Sequence, residues 1–289
     1  DPLQRNLGAL RGTSSQAYAH YGLPDVDFSD DPDVLEREPR RFAYPPTTRA
    51  FAAEFAQLHT DWALCASATT GAPGGAALGW FYLGNAHHYI QDVANQIHTL
   101  QAIYAFFFAA KIESYKEELK SLGGLLRARP GFVTLGIRII KNHHLFAEDL
   151  FAKRVREAVS GAAKNDRVTT AIAALAAPDA HDVEAALAYV DGDPRFAEKI
   201  TRAVIELSSH EGARVYELAG RLIRPDFGQG RAEFADGDDP DTARRAGGDE
   251  RVLDEFYRLQ GLGLVRAATA MRRHVAIYQR GLDRVQGSP

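Results

Sequence analysis

Apolar residues recur along this chain at intervals of three and four, and almost nowhere at every second position. The pattern predicts helices and nearly no strand. Thr48 is a good N-cap, and Phe51, Phe55, Leu58, Trp62 and Cys65 mark one face of a helix that runs to about Ser67. Thr69–Gly75 is a loop. A second helix is expected from about Ala76 into the nineties, with Leu78, Phe81, Tyr82, Asn85 and Tyr89 on related faces. Residues 99–142 read as a helical hairpin. Its first arm is apolar over Leu100–Ala110 and charged over Lys111–Lys120, Gly123–Gly124 and Pro130–Gly131 form the bend, and Phe132–Ile140 is the return arm. Further helices are expected at about 144–159, 167–177, 181–190, 195–224 and 250–284. Residues 1–48 are irregular, broken by Gly12, Pro24 and Pro45–Pro46, and the Gly- and Asp-rich segment 226–249 reads as a mobile loop. The expected fold class is all-α: one compact multi-helix domain over 1–289, with 99–142 as an inserted hairpin.

Composition narrows the function classes. The chain has 289 residues, 45% of them hydrophobic and 25% charged, an ordinary globular balance able to bury a sizeable core. A net charge of −4 gives no basic face for duplex nucleic acid. The lone cysteine, Cys65, excludes a disulfide framework and a Cys-rich zinc module, so a bound metal would have to use His and carboxylates. Residues 1–20 show no signal-peptide pattern. Residues 62–91 contain no charged side chain, but Gly71–Pro73–Gly74–Gly75 interrupts them, so no transmembrane span is expected.

Candidate chemistry lies in the stretch that ends at His98. His88 and Asp92 are four residues apart, about 40° of rotation and about 6 Å of rise on a helix, so an imidazole and a carboxylate meet over one face. His98, ten residues after His88, would stand about 15 Å further along a continuous helix. It can share the metal of His88 only if the helix breaks, but it can serve a neighbouring metal. His144 and Glu148 are a second i, i+4 pair, expected at a helix start. Two His and a carboxylate are a common catalytic zinc set, because they leave a position open for water. Plain ion pairs between His and carboxylates use the same spacing.

The run Tyr82–Leu83–Gly84, His88–Tyr89–Ile90–Gln91–Asp92 and His98 resembles the motif of the bacterial zinc-dependent phospholipases C. That motif is Tyr-Leu-Gly, then His-Tyr-x-x-Asp, then His six residues on. The family's next element, His-x-x-x-Glu, is matched by His144 and Glu148. Related single-strand nucleases usually end that element in Asp, so Glu148 favours the phospholipase branch. The looser resemblance covers about residues 15–284. It implies a fold of the zinc-dependent phospholipase C type and two or three zinc ions. His88 and Asp92 would hold one zinc, with Asp92 bridging to a neighbour as a catalytic carboxylate, and His98, His144 and Glu148 would hold another. The family's upstream His, followed by an aromatic and a turn, has its best match in His20, within Ala19–His20–Tyr21–Gly22–Leu23–Pro24, although an exposed loop His reads the same way. Tyr18 and Tyr21 flank it, placed either for packing or for a cation–π contact with a choline head group.

The resemblance further implies hydrolysis of phospholipid at a membrane surface, releasing diacylglycerol and a phosphorylated head group, and a secreted or cell-envelope location. Three departures stand against it. The family's third zinc uses an N-terminal Trp and a His about a dozen residues later, whereas this chain opens with Asp1 and has no His before His20. No acidic residue lies between Asp1 and His20 to serve as the family's upstream base. The His98–His144 interval is long, which is why 99–142 reads as an insertion. Its apolar runs beside Arg127, Arg129, Arg138 and Lys141 suit either a membrane-docking segment with Leu125 and Leu126 at the tip, or ordinary packing. Two alternatives remain open: a nuclease or nucleotidase of the same fold, and a non-catalytic helical protein that binds membranes or partners.

Overall fold

Small residues let the first two helices approach closely. In a computed structural model describing residues 52–69, 75–99, 130–160, 181–235 and 237–286, α1 (Ala52–Ala68) and α2 (Gly75–Ala94) pair antiparallel. A Cβ on Gly79 would stand 1.9 Å from Ser67 Oγ, and one on Gly75 would stand 2.9 Å from the Ala66 carbonyl oxygen. Only glycine fits at either position. The pairing continues through Trp62 and Tyr82, with ring centroids 5.4 Å apart, to Phe55 and Tyr89 at 5.5 Å. A 3-10 turn, Gln96–Thr99, follows α2. Next come α3 (Pro130–Val159), a short helical segment at 181–186 and α4 (Phe196–Leu222). Two one-turn helices, α5 (Pro225–Gly228) and α6 (Pro240–Ala243), precede α7 (Glu250–Gln286). The fold is all-α. Among the described residues the only β contact is an isolated bridge between Ile223 and Arg244. No described helix is long and apolar enough to cross a membrane. His20, the 167–177 segment and the 100–129 part of the expected hairpin, with its tip, lie outside the described residues.

The chain divides into two compact units. The first takes its described residues from 52–99, 181–210 and 263–286. Its core includes Leu83, Ile90, Val93, Leu187, Ile200, Val204 and Ile277, all essentially inaccessible to solvent. Gln57 reaches from α1 to the start of α4, where its Oε1 accepts from Ala197 N at 3.0 Å and Glu198 N at 3.2 Å. Those amides have no partner within their own helix, so a side chain of another helix caps them.

The second unit takes its described residues from 130–160 and 211–262. Here the structure corrects the sequence reading. The hairpin's return arm and the helix expected from His144 are one continuous helix, α3, opening at Pro130, where a missing amide costs nothing. The sequence reading ended the return arm at Ile140 and began a new helix at about His144, but Lys141, Asn142 and His143 continue the helix. Buried Asn142 donates from Nδ2 to the carbonyls of Phe227 and Ala232, both at 2.8 Å, and accepts from Phe234 N at 2.9 Å. His143 packs edge-on against Tyr216, 4.8 Å between centroids, where Gly220 and Gly228 leave room for it.

The same contacts organise the Gly- and Asp-rich segment 226–249. Arg224 N donates to Ala243 O and Arg245 N to Leu222 O, both at 2.8 Å. Lys153 pairs with Asp239 and Asp241 at 2.7 and 2.6 Å, and Arg154 reaches Asp241 at 2.5 Å. Asp239 and Asp241, two of the acidic residues that gave the segment its loop-like composition, are thus ion-pair partners of α3.

Candidate metal centre

His98 owes its position to a break at the end of α2. Asn95 N is shared between the carbonyls of Gln91 at 3.3 Å and Asp92 at 3.0 Å, and His98 N then bonds Asn95 O at 3.0 Å. The change from four-residue to three-residue bonding tightens the chain into the 3-10 turn. Asn95 Oδ1 accepts from Ile97 N at 3.5 Å, and Thr99 Oγ1 donates to Gln96 O at 2.7 Å. Gln96, Ile97, His98 and Thr99 are all buried. Gly263 of α7 lies against this junction so tightly that a Cβ there would meet Ala94 O at 2.5 Å and Gln96 Oε1 at 3.4 Å. Ser208 Oγ also donates to Ala94 O, at 3.4 Å.

His98, His144 and Glu148 each offer one ligand atom, and the three atoms lie within 4.8 Å of one another. His98 is buried, while His144 and Glu148 are half-buried. Among the described residues this is the only group of three or more His, Cys, Asp or Glu side chains so arranged. His144 Nε2 and Glu148 Oε2 stand 3.2 Å apart. Two donors about 2.0–2.2 Å from a tetrahedral zinc are separated by about 3.3–3.6 Å, so the pair already has close to the required spacing. The group could hold a metal ion.

The other expected pair is also formed. His88 Nε2 and Asp92 Oδ2 are 3.5 Å apart. No third described residue joins them in a group of that size, and the match for a further ligand, His20, lies outside the described residues. Tyr89, between them in sequence, has its hydroxyl pKa pushed up to about 12, by burial and then by the charge of Asp92.

Several buried polar residues escaped the sequence reading. Thr60 Oγ1 donates to Ala56 O at 2.7 Å, and His274 Nε2 is 2.8 Å from the same hydroxyl. With its one proton committed, Thr60 must accept from His274 Nε2–H. His274 Nδ1 is then an acceptor, and His87 Nε2, 3.1 Å away, donates to it. The chain His87–His274–Thr60 thus has one direction and neutral imidazoles, with His274 held down to about 3 by burial and by His87. His59 is enclosed by Trp62, Tyr82 and Tyr89 and held down to about 4 by burial. The apolar spacing of Leu58, Trp62 and Cys65 marks the other, exposed side of α1, and no spacing rule pairs residues 187 and 214 positions apart.

No family model, no curated protein and no solved structure matches this chain.

Proposed function

We propose that this chain is a zinc-dependent hydrolase of phosphodiester bonds, acting on phospholipids in the manner of a phospholipase C. The observation that carries the reading is the group His98, His144 and Glu148. It offers two imidazoles and one carboxylate, leaving a fourth tetrahedral position open. A zinc held there would supply a Lewis acid for a phosphate oxygen and bring the pKa of water toward 7. The protein's part is orientation. His98 is fixed by the buried 3-10 turn, and one face of α3 presents His144 and Glu148 together. Glu148 contributes the negative charge that offsets part of a dication. His88 and Asp92 offer two further donors for a second ion. In the net reaction water adds its oxygen to phosphorus, the phosphorus–oxygen bond to glycerol breaks, and the glycerol oxygen takes the proton. The products are diacylglycerol and a phosphorylated head group.

The test combines metal analysis with turnover. The protein should carry at least one zinc per chain and hydrolyse a chromogenic phosphocholine ester, and a chelator should remove both properties. Faster turnover of single-stranded DNA than of lipid vesicles would replace this reading with that of a nuclease. A metal-free, inactive protein would leave a non-catalytic helical binding protein.

A further inference from the structure

We propose that the exposed aromatic face of the α1–α2 hairpin docks on a zwitterionic lipid surface that presents choline. This deepens the phospholipid reading and rests on it for the choice of lipid. The face is built from two helices. On α1 the exposed positions Leu58, Asp61, Trp62 and Cys65 fall on one side, as the three- and four-residue spacing requires. On α2 the exposed positions include Ala77, Leu78, Trp80, Phe81 and Gly84. Trp80 is 62% exposed, and Leu78, Phe81 and Trp62 lie between 40% and 47%. The rings form a continuous series across the hairpin, Trp62 to Tyr82 at 5.4 Å and Tyr82 to Phe81 at 5.6 Å between centroids. Isolated exposed apolar residues are normal on a protein surface, whereas a contiguous aromatic patch marks an interaction site.

Charge selects the occupant. From Ala50 to Ala110 the sequence has no Lys or Arg, and its only charged residues are Glu54, Asp61 and Asp92. Arg202 pairs with Glu54 at 3.1 Å. Asp61, exposed beside Trp62, is steadied by a 2.8 Å hydrogen bond from Gln57 Nε2. The two helices therefore contribute π-surfaces and a carboxylate to the face, and neither contributes a Lys or Arg. A surface of net negative charge, such as an anionic bilayer or a nucleic acid, would meet repulsion from Asp61 and no counter-charge from either helix. A phosphatidylcholine surface turns quaternary ammonium groups outward, which aromatic faces and a carboxylate both attract. Trp and Tyr also prefer the level of the head groups, where an apolar ring and a polar edge are both accommodated. The same helix, α2, carries His88 and Asp92 further along, so contact through Leu78–Phe81 would hold the ligand-bearing helix at the lipid surface.

The chain's only tryptophans are Trp62 and Trp80, so intrinsic fluorescence reads this face directly. Mixing the protein with phosphatidylcholine vesicles should shift the emission to shorter wavelength, and bromine-labelled acyl chains should quench it. Replacing half of the lipid with phosphatidylserine should reduce the shift. The double variant Leu78→Gln/Phe81→Gln, which keeps helix-forming residues, should partition about tenfold more weakly, a loss worth one decade in the binding constant. It should hydrolyse a soluble phosphocholine ester at the unchanged rate. The proposal is overturned if vesicles leave both tryptophans unmoved, if phosphatidylserine strengthens binding, or if free phosphocholine produces the whole shift. It also fails if the shift follows protein concentration without lipid, which would make the face a contact between copies. Fluorescence reports docking without turnover and the soluble ester reports turnover without docking, so failure of this proposal and failure of the hydrolase reading give different results.

Discussion

Gly263 of α7 and Ala94 at the end of α2 approach so closely that a Cβ on the glycine would stand 2.5 Å from the alanine carbonyl oxygen. Glycine inside a helix normally costs about 0.5–1 kcal/mol relative to alanine. At a free position Gly263→Ala would therefore stabilise the fold. Here the obstacle is backbone, with no flexible side-chain end to move aside, and overpacking of this kind typically costs about 1–3 kcal/mol. The clash wins. Gly263→Ala should lower the urea midpoint and displace the turn that carries His98, and on the proposed zinc reading it should weaken zinc binding by about tenfold or more. Titration with a zinc indicator and a denaturation curve measure the two effects. A variant more stable than the parent, with unchanged zinc affinity, would refute the packing argument.

Glu148 is the only carboxylate of the three-residue group and stands 3.2 Å from His144 Nε2. Glu148→Gln keeps the size of the side chain and removes its charge. A neutral amide is a poor partner for a dication, so if the group holds zinc as proposed, the zinc content of the isolated protein should fall to near zero. Glu148 is half-buried and near the surface, so the thermal midpoint of the metal-free protein should change little. Elemental analysis beside circular dichroism decides the matter. Full zinc occupancy in the variant would exclude Glu148 as a ligand.

Two buried imidazoles give the first unit a pH dependence of known sign. Burial holds His59 down to about 4, and burial together with His87 holds His274 down to about 3, against an ordinary value of 6.5. Below pH 6.5 the unfolded chain takes up protons at both sites while the folded chain resists. Their stabilisation is therefore complete above pH 6.5 and declines as pH falls toward 4. The slope approaches roughly 1.4 kcal/mol per pH unit for each group. Urea midpoints between pH 7.5 and 4.5, measured with chelator present to remove metal linkage, should fall steadily. His274→Gln should flatten part of that slope. A midpoint independent of pH over this range would contradict the neutral, buried assignment.

Much of this architecture was legible in the sequence, and the reasons are local. The helix of Phe55, Leu58 and Trp62, the helix of His88 and Asp92, and the final helix all announce themselves by spacing, although on the first the marked positions Leu58, Trp62 and Cys65 are exposed and the packed side is Ala52, Ala56, His59, Thr60 and Ala63. The pairs His88–Asp92 and His144–Glu148 were visible for the same reason. The separation of His98 from His88 was reckoned along a continuous helix, whereas the helix ends at Ala94 and a 3-10 turn carries His98. What failed was local reading of residues whose partners are remote. Asn142 closes the expected hairpin in the sequence reading, whereas in the structure it lies inside α3 with its amide saturated by Phe227, Ala232 and Phe234. Asp239 and Asp241 look like loop composition until Lys153 and Arg154 meet them. The His87–His274–Thr60 chain joins residues far apart in sequence, so no spacing rule could connect them.

Asn142 provides the sharpest test of that lesson. Its Nδ2 faces two carbonyl oxygens and its Oδ1 faces one amide, an orientation fixed by its partners. Asn142→Ala would leave those buried backbone groups without partners, at about 1–3 kcal/mol for each one that water cannot reach. Asn142→Asp has nearly the same shape but places a second oxygen against the two carbonyls. Ionised, it is repelled by both. Protonated, it satisfies only one of them and carries the cost of taking up a proton at neutral pH. Asn142→Asp should therefore be at least as destabilising at pH 7 as Asn142→Ala, despite being the smaller change in volume, and it should recover part of the loss at pH 5. Hydrogen exchange of the 225–234 amides should quicken in both variants, since that segment is what the side chain holds. If Asn142→Asp were as stable as the parent at pH 7, the two carbonyls would not be the partners of its amide.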